Sequence, residues 1–175
     1  MALYRMFVPG QTVGASAIHW DLWHVANSGY SVVLEAVVPI PSGAAAVTGL
    51  VAVDIFLNRT TAVGTGGTAA TYEGTSFTAM TICGQDNSQA LTSSIVTARL
   101  TPTGGATAGA VLSWRSLATE ETLAGTYNQI NNMARLYHTS VGIVIPQGKG
   151  VSVVQGSVAS VGVVGYEVAF SVTSK

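Results

Sequence analysis

The chain has a single cysteine, Cys83, and charged residues make up only 9% of its 175 positions. One thiol excludes an intrachain disulfide framework and any multi-cysteine zinc site. Seven Lys plus Arg oppose eight Asp plus Glu, leaving a formal charge of −1. That balance provides no basic footprint for nucleic acid and no polybasic stretch for an anionic membrane. Long apolar runs are also missing. Val32 to Ile40, one of the longest, is broken by Glu35 and Pro39 and followed by Pro41, well short of the roughly 20 residues that cross a bilayer. The opening MALYRMFVPGQ has no charged segment leading into an apolar stretch and a cleavage site. This predicts a chain made and kept in a cytoplasm, or built there into something larger.

What is present is apolar and small. Hydrophobic residues reach 48%, with 20 Gly, so disorder is excluded by composition. The length fits one domain with a substantial core. An ordinary soluble domain carries about a quarter charged residues, and near-zero net charge promotes association. A surface of Thr, Ser, Gly, Ala and Val suits coverage by neighbouring subunits, as obligate interfaces resemble a core cut in half. Self-assembly is the expectation.

Short β-rich runs follow one another along the chain: Ala17–Val25, Tyr30–Val38, Val47–Asn58, Ser76–Cys83, Leu91–Leu100, Ala110–Arg115, Arg135–Ile145, Val151–Gln155 and Ser160–Val172. Turn residues separate them at Asn27-Ser28-Gly29, Pro39 to Gly43, Pro102-Thr103-Gly104-Gly105 and Pro146-Gln147-Gly148. The pattern predicts an all-β sandwich or barrel, read here as an antiparallel β-sandwich, in a single domain over residues 13–175, preceded by an N-terminal arm over residues 1–12. The stretch open to a short helical turn is Ala118–Arg135, with Glu120, Glu121, Leu123, Tyr127, Ile130 and Met133 at mixed spacing.

Two of these runs are apolar on both faces. Strict alternation places Tyr30, Val32, Leu34, Ala36 and Val38 on one side and Val33, Glu35 and Val37 on the other. Likewise Val51, Val53, Ile55 and Leu57 oppose Leu50, Ala52 and Phe56 beside Asp54. A lone sandwich needs polar outer positions, so another subunit is the expected cover.

Residues with chemical potential are few. Alternation puts His19 and Asp21 on one strand face and His24 on the other, so a metal would need His138 or another ligand from across the sheet. No metal-binding motif supports that, and hydrogen-bonded structural histidines are the reading. Asp54, Glu167 and Glu35 sit inside apolar strands. A hydrolase would need two carboxylates at a defined separation, whereas pairing with Arg59, Arg99, Arg115 or Arg135 explains them more simply. Cys83 has no His or Asn partner nearby and reads as an inert thiol. There is no Gly-x-Ser-x-Gly elbow. Gly64-Thr65-Gly66-Gly67-Thr68-Ala69 lacks the helix a nucleotide fingerprint requires, and Gly148-Lys149-Gly150 is not a phosphate loop. The Gly64–Thr75 segment is expected to lie flat on a neighbour or to be disordered in the free chain. Trp20 and Trp23 fall on opposite faces, so they cannot share a stacking platform. Together with Trp114, Tyr127, Tyr137 and Tyr166 they read as core and interface packing.

Three features together resemble the small jelly-roll structural proteins, capsid decoration or cement-like, of tailed bacteriophages. The first is Leu57-Asn58-Arg59-Thr60-Thr61 running into Gly64-Thr65-Gly66-Gly67-Thr68. The second is the C-terminal pair of runs, Val144 to Val151 with its Pro-x-Gly turn, then Val164-Gly165-Tyr166-Glu167-Val168-Ala169-Phe170, a pattern also seen in trimeric tumour-necrosis-factor-like folds. The third is the Ala/Gly/Thr/Val bias.

The resemblance implies a jelly roll that forms homotrimers and binds a major capsid protein, with no catalytic residue, metal or cofactor. Its place would be the virion, assembled in the host cytoplasm, away from nucleic acid and membrane. Leu3, Tyr4, Met6, Phe7, Arg59, Thr60, Gly66 and Gly67 are the candidate interface residues. The alternative is a tail or fibre module gripping a host glycan, and the third reading a small hydrolase using Asp54 or Glu167.

Overall fold

The computed structural model describes residues 1–12, 14–42, 49–76, 78–85, 90–104, 108–122, 126–128, 137–158 and 163–175. Among the described residues every regular element is a strand: β1 (Ala2–Gln11), β2 (Ile18–His24), β3 (Tyr30–Ser42), β4 (Gly49–Thr60), β5 (Thr68–Ala69), β6 (Thr71–Tyr72), β7 (Thr81–Gly84), β8 (Val96–Leu100), β9 (Ala108–Thr122), β10 (Thr126–Asn128), β11 (Tyr137–Ile145), β12 (Lys149–Gln155) and β13 (Val163–Ser174). They form a front sheet in the order β11-β3-β13-β1-β7-β6 and a back sheet in the order β10-β9-β4-β12-β2-β8-β5.

The long strands pair in nested fashion, β1 with β13, β2 with β12, β3 with β11 and β4 with β9, all antiparallel. Nested pairing distributed over two facing sheets is jelly-roll-like winding. The antiparallel β-sandwich expected from the sequence is therefore the architecture found, in one domain. The excursion between β4 and β9 widens both sheets, adding β8 and β5 beyond β2 and adding β7 and β6 beyond β1. The Tyr72 hydroxyl ties these additions together by donating to the Val96 carbonyl at 2.5 Å.

The core follows the period of two that any strand imposes. Ala2, Tyr4, Met6 and Val8 of β1 point inward beside Val164, Tyr166, Val168, Phe170 and Val172 of β13. From the back sheet Trp20, Leu22, Ile55, Leu57, Val151 and Val153 meet them. Tyr4 and Phe170, cross-strand partners, stack with centroids 5.6 Å apart.

Several expectations are corrected by this arrangement. Residues 2–11 are not an outlying arm. They form β1, paired with β13 on one side and β7 on the other, because alternate apolar residues there complete the core. Ala118–Thr122 continues β9 and Thr126–Asn128 is β10, forming an antiparallel pair rather than a helical turn, while Leu123, Ile130, Met133 and Arg135 lie outside the described residues. The Gly64–Thr75 segment lies on its own chain: Thr68–Ala69 pairs with β8 and Thr71–Tyr72 with β7.

Strict alternation fails in β3. Leu34 pairs with Phe170 and Ala36 with Ala169, so Glu35 is an inserted residue that reverses the faces after it. Val32, Leu34 and then Val37 are buried, while Val33, Ala36 and Val38 are only partly so. A bulge thus supplies part of what looked like a strand covered on both sides. In β4, Ile55 and Leu57 enter the core and Asp54 is exposed. The side chains of Leu50, Val51, Ala52 and Val53 lie outside the described residues.

Candidate functional site

His19 and His24 occupy the interior. In β2, Trp20 pairs with Val153 and Ile18 with Val154, leaving His19 as an inserted residue. Such a bulge turns two neighbouring side chains toward one face. His19 and Trp20 both make edge contacts with Tyr166 of the opposite sheet, at centroid distances of 5.5 and 6.0 Å. Asp21 consequently does not share the face of His19, contrary to simple alternation.

His19 joins the two sheets through hydrogen bonds. Gln155 donates its Nε2 to the Val158 carbonyl at 2.6 Å, which leaves Oε1 to accept from His19 Nε2 at 2.9 Å. The Tyr166 hydroxyl then donates to His19 Nδ1 at 2.8 Å. The network assigns a neutral imidazole with its proton on Nε2. Burial lowers the His19 pKa to about 4, against the opposing effect of the Gln155 hydrogen bond. Burial also pushes the Tyr166 hydroxyl far above its ordinary value. Neither group meets solvent, so the network is a strut between sheets rather than an acid–base pair. His24 is likewise held, Nδ1 against the Ile145 carbonyl at 2.7 Å and Nε2 against Ser28 Oγ at 2.8 Å. The His138 backbone pairs with Ala36 in β3, and its side chain lies outside the described residues.

Asp21 anchors the glycine-rich loop. Its Oδ2 accepts from the Gly64 N–H at 2.8 Å and its Oδ1 from the Arg99 N–H at 2.9 Å, while the Arg99 guanidinium donates to the Gly66 carbonyl at 3.0 Å. Burial raises the Asp21 pKa, opposed by both N–H groups and by the Arg99 charge. Gly64 is required by contact: a Cβ there would lie 2.2 Å from Asp21 Oδ2 and 2.9 Å from Pro102 Cβ. Gly64→Ala should cost about 2–4 kcal/mol by displacing a buried carboxylate from its donors. Chemical denaturation measures this, and a loss below about 0.5 kcal/mol, the size of an ordinary surface change, would refute the clamp.

Asp54 and Glu167 do not share a cleft. Asp54 accepts from the Ser116 hydroxyl on the outer face of the back sheet. Glu167 pairs with Arg5 on the outer face of the front sheet, and Glu35 accepts from Ser171 Oγ at 2.8 Å. With the sandwich between them, Asp54 and Glu167 cannot flank a common substrate. Cys83 is half-buried. Burial, with the Glu73 carboxylate, raises its pKa, which disfavours the nucleophilic thiolate. Among the described residues no group of three His, Cys, Asp or Glu side chains is gathered to hold a metal, and no helix is long and apolar enough to cross a membrane.

The candidate interface residues separate by strand parity. Tyr4, Met6 and Thr60 are buried in the fold and have no surface to offer. Leu3, Arg59, Gly66 and Gly67 are exposed, and Phe7 is partly so. Gly66 and Gly67 take positive φ values of 67° and 61°, which makes them turn residues first.

The open chemistry lies on the two outer faces. Across the front sheet, Val144, Val33, Ser171 and Leu3 form a continuous cross-strand row over β11, β3, β13 and β1. Val38, Glu167 and Phe7 form another. Val144 is 62% exposed and Leu3 39%. On the back sheet, Val154, Phe56 and Trp114 form a row over β12, β4 and β9. Phe56 and Trp114 stack with centroids 6.5 Å apart at 25°, and Trp114 remains 60% exposed. Of the tryptophans, Trp20 is in the core and Trp23 half-buried, so Trp114 is the one displayed. No local pattern signals this pair, because 58 positions of chain separate its members and only the β4–β9 register joins them. Comparison with protein-family models, curated proteins and solved structures returns no match.

Proposed function

We propose that the chain is a structural virion subunit that works by being packed against other subunits. In its most specific form it is a trimeric decoration protein cementing the head of a tailed bacteriophage through the major capsid protein. The observation that carries the reading is the front-sheet outer face. Val144, Val33, Leu3, Phe7 and Val38 occupy positions that a free sandwich gives to charged residues, with the exposed Arg5–Glu167 ion pair among them. Val144 and Leu3 are exposed and Val33, Val38 and Phe7 partly so, with Ser171 and Glu167 between them, and apolar side chains gathered on an outer face suit an interaction site.

The low charge of the whole chain and the resemblance of Leu57–Thr68 and Val144–Phe170 to phage jelly-roll proteins support the same reading. The mechanism is stabilisation by contact. At about 25 cal/mol per Å² of buried apolar area, a modest footprint repeated over a shell reinforces it, and multivalent attachment adds avidity.

Sedimentation velocity of the chain alone, over micromolar concentrations, tests this first. A closed trimer is expected. Leu3→Glu, an exposed position beside the ion pair, should reduce the mass to that of one chain while leaving the circular dichroism unchanged. A wild-type monomer that also fails to bind emptied phage heads would overturn the proposal.

A further inference from the structure

We infer that the back sheet carries a carbohydrate-binding ledge built from Trp114, Phe56 and Val154, with Asp54 and Ser116 at its edge. The inference is independent of the cementing role, which uses the opposite face. Three adjacent strands supply the ledge, so it extends about 10 Å across the sheet at ordinary strand spacing. Val154, Phe56 and Trp114 are successive cross-strand neighbours on one face of the sheet, and Trp114 stays 60% exposed. The Phe56 and Trp114 rings lie within 25° of parallel. Gly156 leaves room beside these side chains: a Cβ there would stand 3.4 Å from Phe56 Cε2 and 3.2 Å from Asp54 Cβ.

One row along the strands, Asp54 pairs with Ser116, whose hydroxyl donates to Asp54 Oδ1. The ligand that fits must therefore present an apolar face to the rings and hydroxyl donors to a carboxylate at the rim. A pyranose has that combination, with axial C–H groups on one face and hydroxyls around its edge. A nucleic acid does not, since the rim carboxylate repels phosphate. A purely apolar peptide would leave Asp54 and Ser116 without use. The site accordingly suits neutral oligosaccharides, held by ring stacking and oriented by the carboxylate.

The test is a titration of the full chain with maltotriose, cellotriose, mannotriose, tri-N-acetylchitotriose and lactose, each to about 10 mM, above the millimolar affinities expected of a shallow open site. At least one sugar should quench tryptophan fluorescence saturably and shift the Trp114 indole resonance in the NMR spectrum. Trp114→Ala should weaken binding at least tenfold, Trp114→Phe should retain most of it, and Asp54→Asn should weaken it several-fold. Should the alanine variant fold poorly, the Trp114 resonance and the Asp54→Asn variant still decide the matter.

No saturable response to any of the five sugars would overturn the inference, and so would binding indifferent to both substitutions. If the sugars are inert and Trp114→Ala instead reduces the sedimenting mass, the ledge is a contact between copies. The carbohydrate reading then fails while the subunit proposal stands.

Discussion

Lowering the pH from 6.5 toward 4 is expected to destabilise the fold by about 3 kcal/mol through His19 alone. The imidazole has an ordinary pKa of 6.5 and a folded value of about 4. Between those values the unfolded chain binds a proton that the folded chain refuses. Stability is therefore intact above this window and falls as the pH drops through it. The physical cause is burial: the imidazolium charge would be cut off from water between the two sheets, and the Gln155 hydrogen bond offsets only part of that cost.

For a chain of this size, about 2–4 °C of melting temperature accompanies each kcal/mol, so a fall on the order of 10 °C is expected. Asp21 acts in the opposite sense. Its raised pKa contributes stability at low pH that is lost as the pH rises through the folded value. His19→Gln separates the two, since glutamine can donate to Gln155 and accept from Tyr166 without titrating. That variant should lose about 1–3 kcal/mol at pH 7 and show a flatter profile below it. Equal melting temperatures for the wild type at pH 7 and pH 4.5 would show that the strut does not govern acid stability.

Removal of residues 1–11 should abolish folding altogether. Tyr4, Met6 and Val8 are each buried to within 1%, and at about 1.5–3 kcal/mol apiece they account for roughly 5–9 kcal/mol. That is comparable with the whole stability of an ordinary domain, about 5–15 kcal/mol. The deletion would also strip paired edges from β13 and β7. Read as an arm, this segment should weaken assembly more than folding when deleted. Its place inside the front sheet reverses that expectation. The truncated chain should show no cooperative melt and a collapsed amide spectrum, and a native circular dichroism spectrum with a sharp transition would contradict the role of β1.

Many of the strands and the fold class were legible in the sequence because both depend on local chemistry, whereas β1 reads there as an arm and the end of β9 with β10 as a stretch open to a helical turn. Alternating or continuous apolar runs between Gly, Pro and Asn turns can be read within about ten residues, and Pro146-Gln147-Gly148 indeed joins β11 to β12, with Gly148 at φ 67°. Low charge and high apolar content likewise belong to the chain before it folds. The faces were not fully legible. The inserted residues His19 and Glu35 reverse alternation, and a bulge is recognised only from the partner strand's register. The site residues depended on distance along the chain. His19 meets Tyr166 across 147 positions, Asp21 meets Gly64 across 43, and Trp114 meets Phe56 only because β4 and β9 pair. Sequence alone set the material, a strand-rich chain with little charge. The tertiary structure decided which histidine is sealed in, which tryptophan is displayed and which carboxylate stands beside it, since each depends on registers formed between strands far apart in the chain.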